Sequence, residues 1–172
     1  MDVKNAIKKR RSIRKYKNKQ IPNALIKKVI DAARLAPSGN NTQPCTYYVV
    51  KDEKIKSKLK KYKVFAQDFV YTAPVIIVCC ADPIEYKKHV KGWDLPNKDR
   101  ALRDVSIASS FLVLAATELG LGTCYIGWLK AKKIKEILQI PKQNLVPYVI
   151  TVGYPDEKPK PTSRKSLDKI LF

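Results

Sequence analysis

Between Val105 and Thr117 this chain carries no charge, although Lys and Arg make up 35 of its 172 residues and Asp and Glu another 15. The segment from Asp99 to Leu119 reads as one long helix. A helix so apolar must be buried nearly all round, which commits the rest of the chain to wrapping it. Ser106, Ala108, Ser109, Ser110, Ala115 and Ala116 give it a surface of small residues for close packing, and Gly120 and Gly122 are expected to stop it. A second constraint is Pro74–Ala81, an unbroken apolar run with the length and β-branched content of a strand buried on both faces.

The other elements follow from periodicity. A first helix is expected from Asp2 to about Arg10. A second opens at Pro22 and Asn23, with Leu25, Ile26, Val29, Ile30 and Ala33 at helical spacing, and stops before Pro37. Ser38–Pro44 is a polar loop rich in turn formers. Thr46–Lys51 reads as a strand, Asp52–Tyr71 as one or two helices, and Asp82–Lys98 as a loop or short helix. Thr123–Leu129 is a third strand, Ala131–Leu138 a helix and Leu145–Tyr154 a fourth strand. The tail beyond Pro155 is basic and Pro-rich, yet ends on Ile170, Leu171 and Phe172, for which docking on a second subunit is one explanation. Two leading helices argue against a plain βαβ series. The expectation is one α+β domain over 1–172, a sheet wrapped by helices.

The net charge of +20 raises nucleic acid, anionic membranes and anionic cofactors as partners. The lysines are spread along the chain, however. In the densest run, Lys51–Lys63, the spacing of Ile55 and Leu59 makes them the wet face of an amphipathic helix. Cys45, Cys79, Cys80 and Cys124 form no CxxC pair, and His89 is the one histidine, so metal or cluster chemistry has no support. Cys79 and Cys80 fall in the apolar run and are read as small hydrophobes. Free thiols, with neither a signal peptide nor an uncharged stretch long enough to span a membrane, point to a cytoplasmic protein. No Rossmann fingerprint, Walker loop, nucleophile elbow or triad is present.

What remains is Arg10-Arg11-Ser12-Ile13-Arg14. If the first helix persists that far, its three guanidinium groups share one surface and repel each other unless an anion sits among them. Phosphate is the natural guest, because Arg offers paired donors to its oxygens.

This segment, with Ala36-Pro37-Ser38-Gly39-Asn40-Asn41-Thr42-Gln43-Pro44, Gly120-Leu121-Gly122-Thr123-Cys124-Tyr125-Ile126-Gly127, and Val152-Gly153-Tyr154-Pro155 followed by Arg164-Lys165, resembles the nitroreductase family in order and over nearly the whole chain. The resemblance implies a nitroreductase-like fold with a mostly antiparallel sheet, an intertwined homodimer, and FMN bound at the subunit interface. It implies NADH or NADPH as co-substrate and a hydride passed through flavin N5 to an electron-poor acceptor, such as a nitroaromatic or quinone, in a ping-pong cycle. Arg10 and Ser12 then correspond to phosphate and ribityl contacts, with Arg164 and Lys165 closing from the C-terminal side. Arg11 corresponds to a ring or ribityl contact, and Arg14 to the cation at the N1–C2=O edge. Pro37, Ser38, Gly39 and Asn41 correspond to the loop that reaches the ring from the other subunit, braced by Gln43. Cys124, Tyr125, Ile126 and Gly127 correspond to the strand end that lines the flavin, with a main-chain N–H of Ile126 or Gly127 at N5. No side chain is assigned a catalytic acid or base role.

The chain departs from the family at Cys45, where an aromatic residue is usual, and at Ile126, where some members have an acid. The short 82–98 segment stands in place of a longer substrate-covering insertion, with Tyr86, His89 and Trp93 as stacking candidates. The alternatives are a narrower flavin dehydrogenase or dehalogenase of the same fold, a flavin carrier without turnover, and a basic nucleic-acid-binding domain.

Overall fold

A computed structural model describes residues 2–89 and 97–171. Helix α1 (Val3–Lys9) starts at Asp2, whose carboxylate accepts from the Asn5 N–H at 2.7 Å. It stops at Lys9, and Arg10 turns out of the helix with ψ 127°. The helix ends close to the expected Arg10 and does not persist to Arg14, the condition for the arginines to share one helical surface. The three guanidinium groups do not share a helix face but follow an extended segment. Helix α2 (Asn23–Arg34) buries Ile26, Val29 and Ala33, as its periodicity requires. It is followed by strand β1 (Cys45–Val50), helix α3 (Glu53–Lys61), the short helix α4 (Phe69–Thr72) and strand β2 (Val75–Ala81). Then come helix α5 (Glu85–His89), helix α6 (Lys98–Glu118), strand β3 (Gly122–Ile126), helix α7 (Ala131–Leu138) and strand β4 (Leu145–Gly153).

Among the described residues the strands form one antiparallel sheet in the order β1-β2-β4-β3, with Val49 opposite Ile77 and Ile77 opposite Ile150. The alternation of β2 explains its unbroken apolar run. Val75, Ile77, Cys79 and Ala81 face the layer of α2 and α6, while Ile76, Val78 and Cys80 face the layer that includes Leu59, Val70 and Ile134. Cys79 and Cys80 thus point to opposite sides, both free and fully buried.

Helix α6 departs from expectation. Val105, Ala108, Leu112, Val113 and Ala116 are buried, but Ile107 and Phe111 are 40% and 42% exposed. Within one chain this helix buries one side only, and an apolar stripe stays open. Its end is the stop expected at Gly120, which takes φ 76°. The Gly120 N–H donates to the Thr117 carbonyl at 3.1 Å and the Leu121 N–H to the Ala116 carbonyl at 2.8 Å. Gly122 has a different role from the helix stop expected of it. A Cβ there would lie 2.7 Å from Ile13 Cγ1, so this glycine seats Ile13 against the sheet. Strand β3 is also shorter than expected. It ends at Ile126, and Leu129 instead bridges to Phe65.

The 82–98 segment contains α5, whose Tyr86 is buried in the core and not available to stack on a substrate. The His89 Nδ1 lies 2.9 Å from the Glu85 carbonyl. Trp93 and the terminal Phe172 lie outside the described residues, whereas Leu167, Ile170 and Leu171 are exposed. No helix among the described residues is long and apolar enough to cross a membrane.

Candidate functional site

The arginine segment runs beside the sheet edge, joined to it by an isolated bridge. Ser12 bridges Thr123 in parallel, and the Ile13 N–H donates to the Thr123 carbonyl at 2.9 Å, along the outer edge of β3. Three residues to which the sequence assigned no such role hold this segment in place. The Tyr16 hydroxyl donates to the Ile13 carbonyl at 2.6 Å and lies 2.7 Å from Thr151 Oγ1. Gly153 seats the Tyr16 ring, since a Cβ there would lie 2.5 Å from Tyr16 Cδ1. The Glu157 carboxylate accepts from the main-chain N–H groups of both Arg14 and Lys15. Burial raises the Tyr16 phenol far above its ordinary value, so it stays protonated and donating. The glycines were visible in the sequence, but a glycine's partner across the fold was not.

Arg10, Arg11, Ser12, Arg14 and Arg164 line one cleft of about 460 Å³ together with Ile7, Lys8 and the Pro159–Thr162 stretch. The cluster and the C-terminal arginine, 150 residues apart in sequence, are therefore brought together. Their side chains differ in state. The Arg11 guanidinium donates to the Lys8 and Arg10 carbonyls, both at 2.7 Å, and so caps the end of α1. Arg164 folds onto its own segment, donating to Thr162 Oγ1 at 2.6 Å and to the Ser163 carbonyl at 2.9 Å. Neither the Arg10 nor the Arg14 guanidinium has a hydrogen-bond or ion-pair partner among the described residues. Lys165 is exposed and does not line the cleft.

The third sequence segment adjoins this cleft. Cys124 is buried with its thiol raised by that burial, an effect opposed by Arg14 and by a hydrogen bond from Ser12. Tyr125 is partly exposed, donates to Ser109 Oγ at 3.0 Å and stacks edge-on to Tyr148 at 5.2 Å. Ile126 is buried, so only its main chain can serve a ligand on this edge. Around Gly127 the space is open, with no heavy atom within 4 Å of where a Cβ would stand. From Thr123 to Gly127, one residue past the strand end, extended backbone covers about 13 Å, from the guanidinium end to the open end.

Pro37, Ser38 and Gln43 line a separate cleft of about 440 Å³ with Cys45, Tyr47 and Asp104. Within one chain the Pro37–Asn41 loop and the arginine cleft are not joined. Gly39 and Asn41 are exposed on this loop. The Cys45 thiol is pushed up to about 11 by burial and by the nearby Asp104, which suits a structural and not a reactive cysteine. Asp104 itself was missed. Its signal is positional, a lone acid in the buried stripe Ala101, Val105, Ala108 of α6. Among the described residues, no group of His, Cys, Asp and Glu is placed to hold a metal ion.

The β3 edge therefore has a guanidinium-lined cleft at one end and open main chain at the other. The nitroreductase family model matches residues 7–154, and the chain belongs to that family. A Methanothermobacter thermautotrophicus protein named as a candidate NADH dehydrogenase/NAD(P)H nitroreductase is 38% identical over 165 residues, covering 92% of this chain and 80% of its own length. The FMN-dependent nitroreductase of Clostridium difficile R20291 is 33% identical with a TM-score of 0.79, covering 97% of this chain and 95% of that one. A nitroreductase family protein of Streptococcus pneumoniae TIGR4 superposes with a TM-score of 0.86 at 25% identity, over 99% of both chains. The protein is an oxidoreductase.

Proposed function

We propose that the chain is a single FMN-binding domain and acts as an FMN-dependent NAD(P)H oxidoreductase on electron-poor acceptors such as nitroaromatics and quinones. The observation that carries this reading is the pair of guanidinium groups, Arg10 and Arg14, that have no partner among the described residues, beside the Ser12 hydroxyl in a cleft on the β3 edge. The donor set fits the group. A phosphate monoester needs several hydrogen-bond donors and positive charge; Arg10 and Arg164 supply N–H donors and charge, and Ser12 supplies an O–H donor. When bound, FMN supplies a ring that accepts and passes on a hydride. Arg14, further along the extended segment, places a cation where it favours negative charge on a ring lying toward Gly127. Arg11 keeps the cluster in place through its hold on α1, and Lys165 adds positive charge at the mouth.

Cys124, Tyr125, Ile126 and Gly127 form the wall along which such a ligand lies. Pro37, Ser38, Gly39 and Asn41 complete the site from a second copy of the chain. The open stripe of Ile107 and Phe111, with the exposed Val3, Ile7, Leu167, Ile170 and Leu171, supplies apolar surface for that homodimer. Four free cysteines suit a reducing compartment such as the cytoplasm.

The test is FMN titration followed by flavin fluorescence, then anaerobic addition of NADH or NADPH to the complex. Uptake and bleaching support the reading. A protein that takes up no FMN overturns it. Parallel assays with a nitroaromatic, a quinone and a halogenated aromatic separate a broad reductase from narrower chemistry on the same fold.

A further inference from the structure

The loop at Ser38–Gln43 holds three non-glycine residues in the left-handed region, Asn40, Asn41 and Gln43, with φ of 54°, 53° and 48°. Such a loop keeps its shape only when its surroundings over-determine it. Part of the restraint is internal. The Gln43 N–H donates to Ser38 Oγ at 2.9 Å, and the Thr42 N–H to the Gly39 carbonyl at 3.1 Å.

The rest comes from the core. Asp104 of α6 is 5% exposed and Tyr86 of α5 is 1% exposed. The Tyr86 hydroxyl donates to Asp104 Oδ2 at 2.5 Å. The Gly39 N–H donates toward both Asp104 oxygens, at 3.3 and 3.4 Å. Gly39 also rests on the phenol itself, since a Cβ at this position would lie 2.7 Å from the Tyr86 hydroxyl oxygen. The Arg100 guanidinium lies 5.8 Å from the centre of the same ring. A buried carboxylate, a buried phenol and a glycine amide from three separate elements thus meet at one point beneath the loop.

We infer that Asp104 and Tyr86 are positioning residues for the Ser38–Gln43 loop, acting through Gly39 to hold Ser38, Gly39 and Asn41 in the shape in which they meet the cofactor. The inference rests on the flavin reading for what the loop meets, but not for the clamp itself. Asp104 accepts two donors at once, as an ionised carboxylate does well and an amide less well. Gly39 is required because any side chain would strike the phenol.

The test compares the parent protein with Tyr86→Phe, Asp104→Asn and Asp104→Ala, reading FMN Kd, amide hydrogen exchange of residues 39–43 and urea midpoint. Tyr86→Phe keeps the ring under Gly39 and removes only the hydroxyl. It is expected to weaken FMN binding about tenfold and to speed exchange in the loop, while amides of β2 and β4 stay protected. Asp104→Asn, which can still accept from Gly39, falls between the parent and Asp104→Ala. If Asp104→Ala does not fold, Tyr86→Phe and Asp104→Asn still decide. Unchanged loop exchange and unchanged FMN Kd, with only a lower urea midpoint, would overturn the inference and leave an ordinary core hydrogen bond. If the parent takes up no FMN, the flavin reading fails by itself. Loop exchange then decides the clamp: faster in Tyr86→Phe sustains it and unchanged overturns it.

Discussion

Gly122→Ala tests the link between the sheet and the arginine cleft. The added methyl would stand 2.7, 2.9 and 3.0 Å from Ile13 Cγ1, Cβ and Cγ2. One of these is Ile13 Cβ, which is fixed to the backbone, so a rotamer change alone does not relieve the contact. Ile13 is itself buried and its N–H is tied to the Thr123 carbonyl at 2.9 Å. Gly122 does not have a positive φ, so alanine is not penalised by conformation. It gains up to about 1 kcal/mol in strand propensity. Overpacking costs about 1–3 kcal/mol. Because Ile13 Cβ cannot move aside, the cost falls in the upper part of that range, about 2–3 kcal/mol, and the net loss is about 1–2 kcal/mol, or about 2–8 °C in Tm for a domain of this size. Because Ser12 and Arg14 flank Ile13, the shift must also reach the cleft, and FMN affinity is expected to fall with Tm. Calorimetry and FMN titration on the same samples measure both. Ile13→Ala in the Gly122→Ala background removes Cγ1 and Cγ2 and leaves only the Cβ contact, so the two changes together cost less than their sum. A Gly122→Ala protein with unchanged Tm and unchanged FMN affinity would refute the reasoning.

Other expectations follow from the same geometry. Arg10→Ala should mainly weaken FMN retention in a titration, whereas Arg14→Ala should also lower the flavin midpoint potential measured by dye equilibration. Tyr16→Phe removes the bonds to the Ile13 carbonyl and Thr151 Oγ1 and should cost about 1–2 kcal/mol in urea unfolding. Cys45 and Cys80 are held up, chiefly by burial, at about 11 and about 12. Their folded values lie above the unfolded thiol, so their contribution is complete below about pH 8.5 and is lost as pH rises toward their folded values. Urea midpoints should therefore fall from about pH 9 upward, and less steeply in a Cys45→Ala, Cys80→Ala protein. Cys45 should also resist iodoacetamide at pH 8 in the native state.

Much of the fold was written in local pattern. The spacing of Ile26, Val29 and Ala33 set α2, and an apolar run of strand length set β2. Local pattern failed where the outcome depended on another part of the chain. Helical propensity does not stop at Lys9; what draws Arg10–Arg14 away is the edge of β3 and the Glu157 carboxylate. The charge-free stretch of α6 implies burial, but one chain supplies cover for only one side. In the candidate site, the residue types suited to a phosphate were legible because Arg and Ser announce their chemistry. Gly122, Gly153, Asp104 and Tyr86 were not, because each acts through a partner distant in sequence. Tyr86 drew notice as a candidate to stack on a substrate and proved to be buried beneath Gly39.

The central claim is that the arginine cleft holds FMN. It is tested most directly by the visible absorbance spectrum of the purified protein before and after incubation with FMN and desalting. The account expects retained flavin bands in the parent protein and their loss in an Arg10→Ala, Arg14→Ala double variant. A colourless parent that retains no FMN after incubation would contradict it.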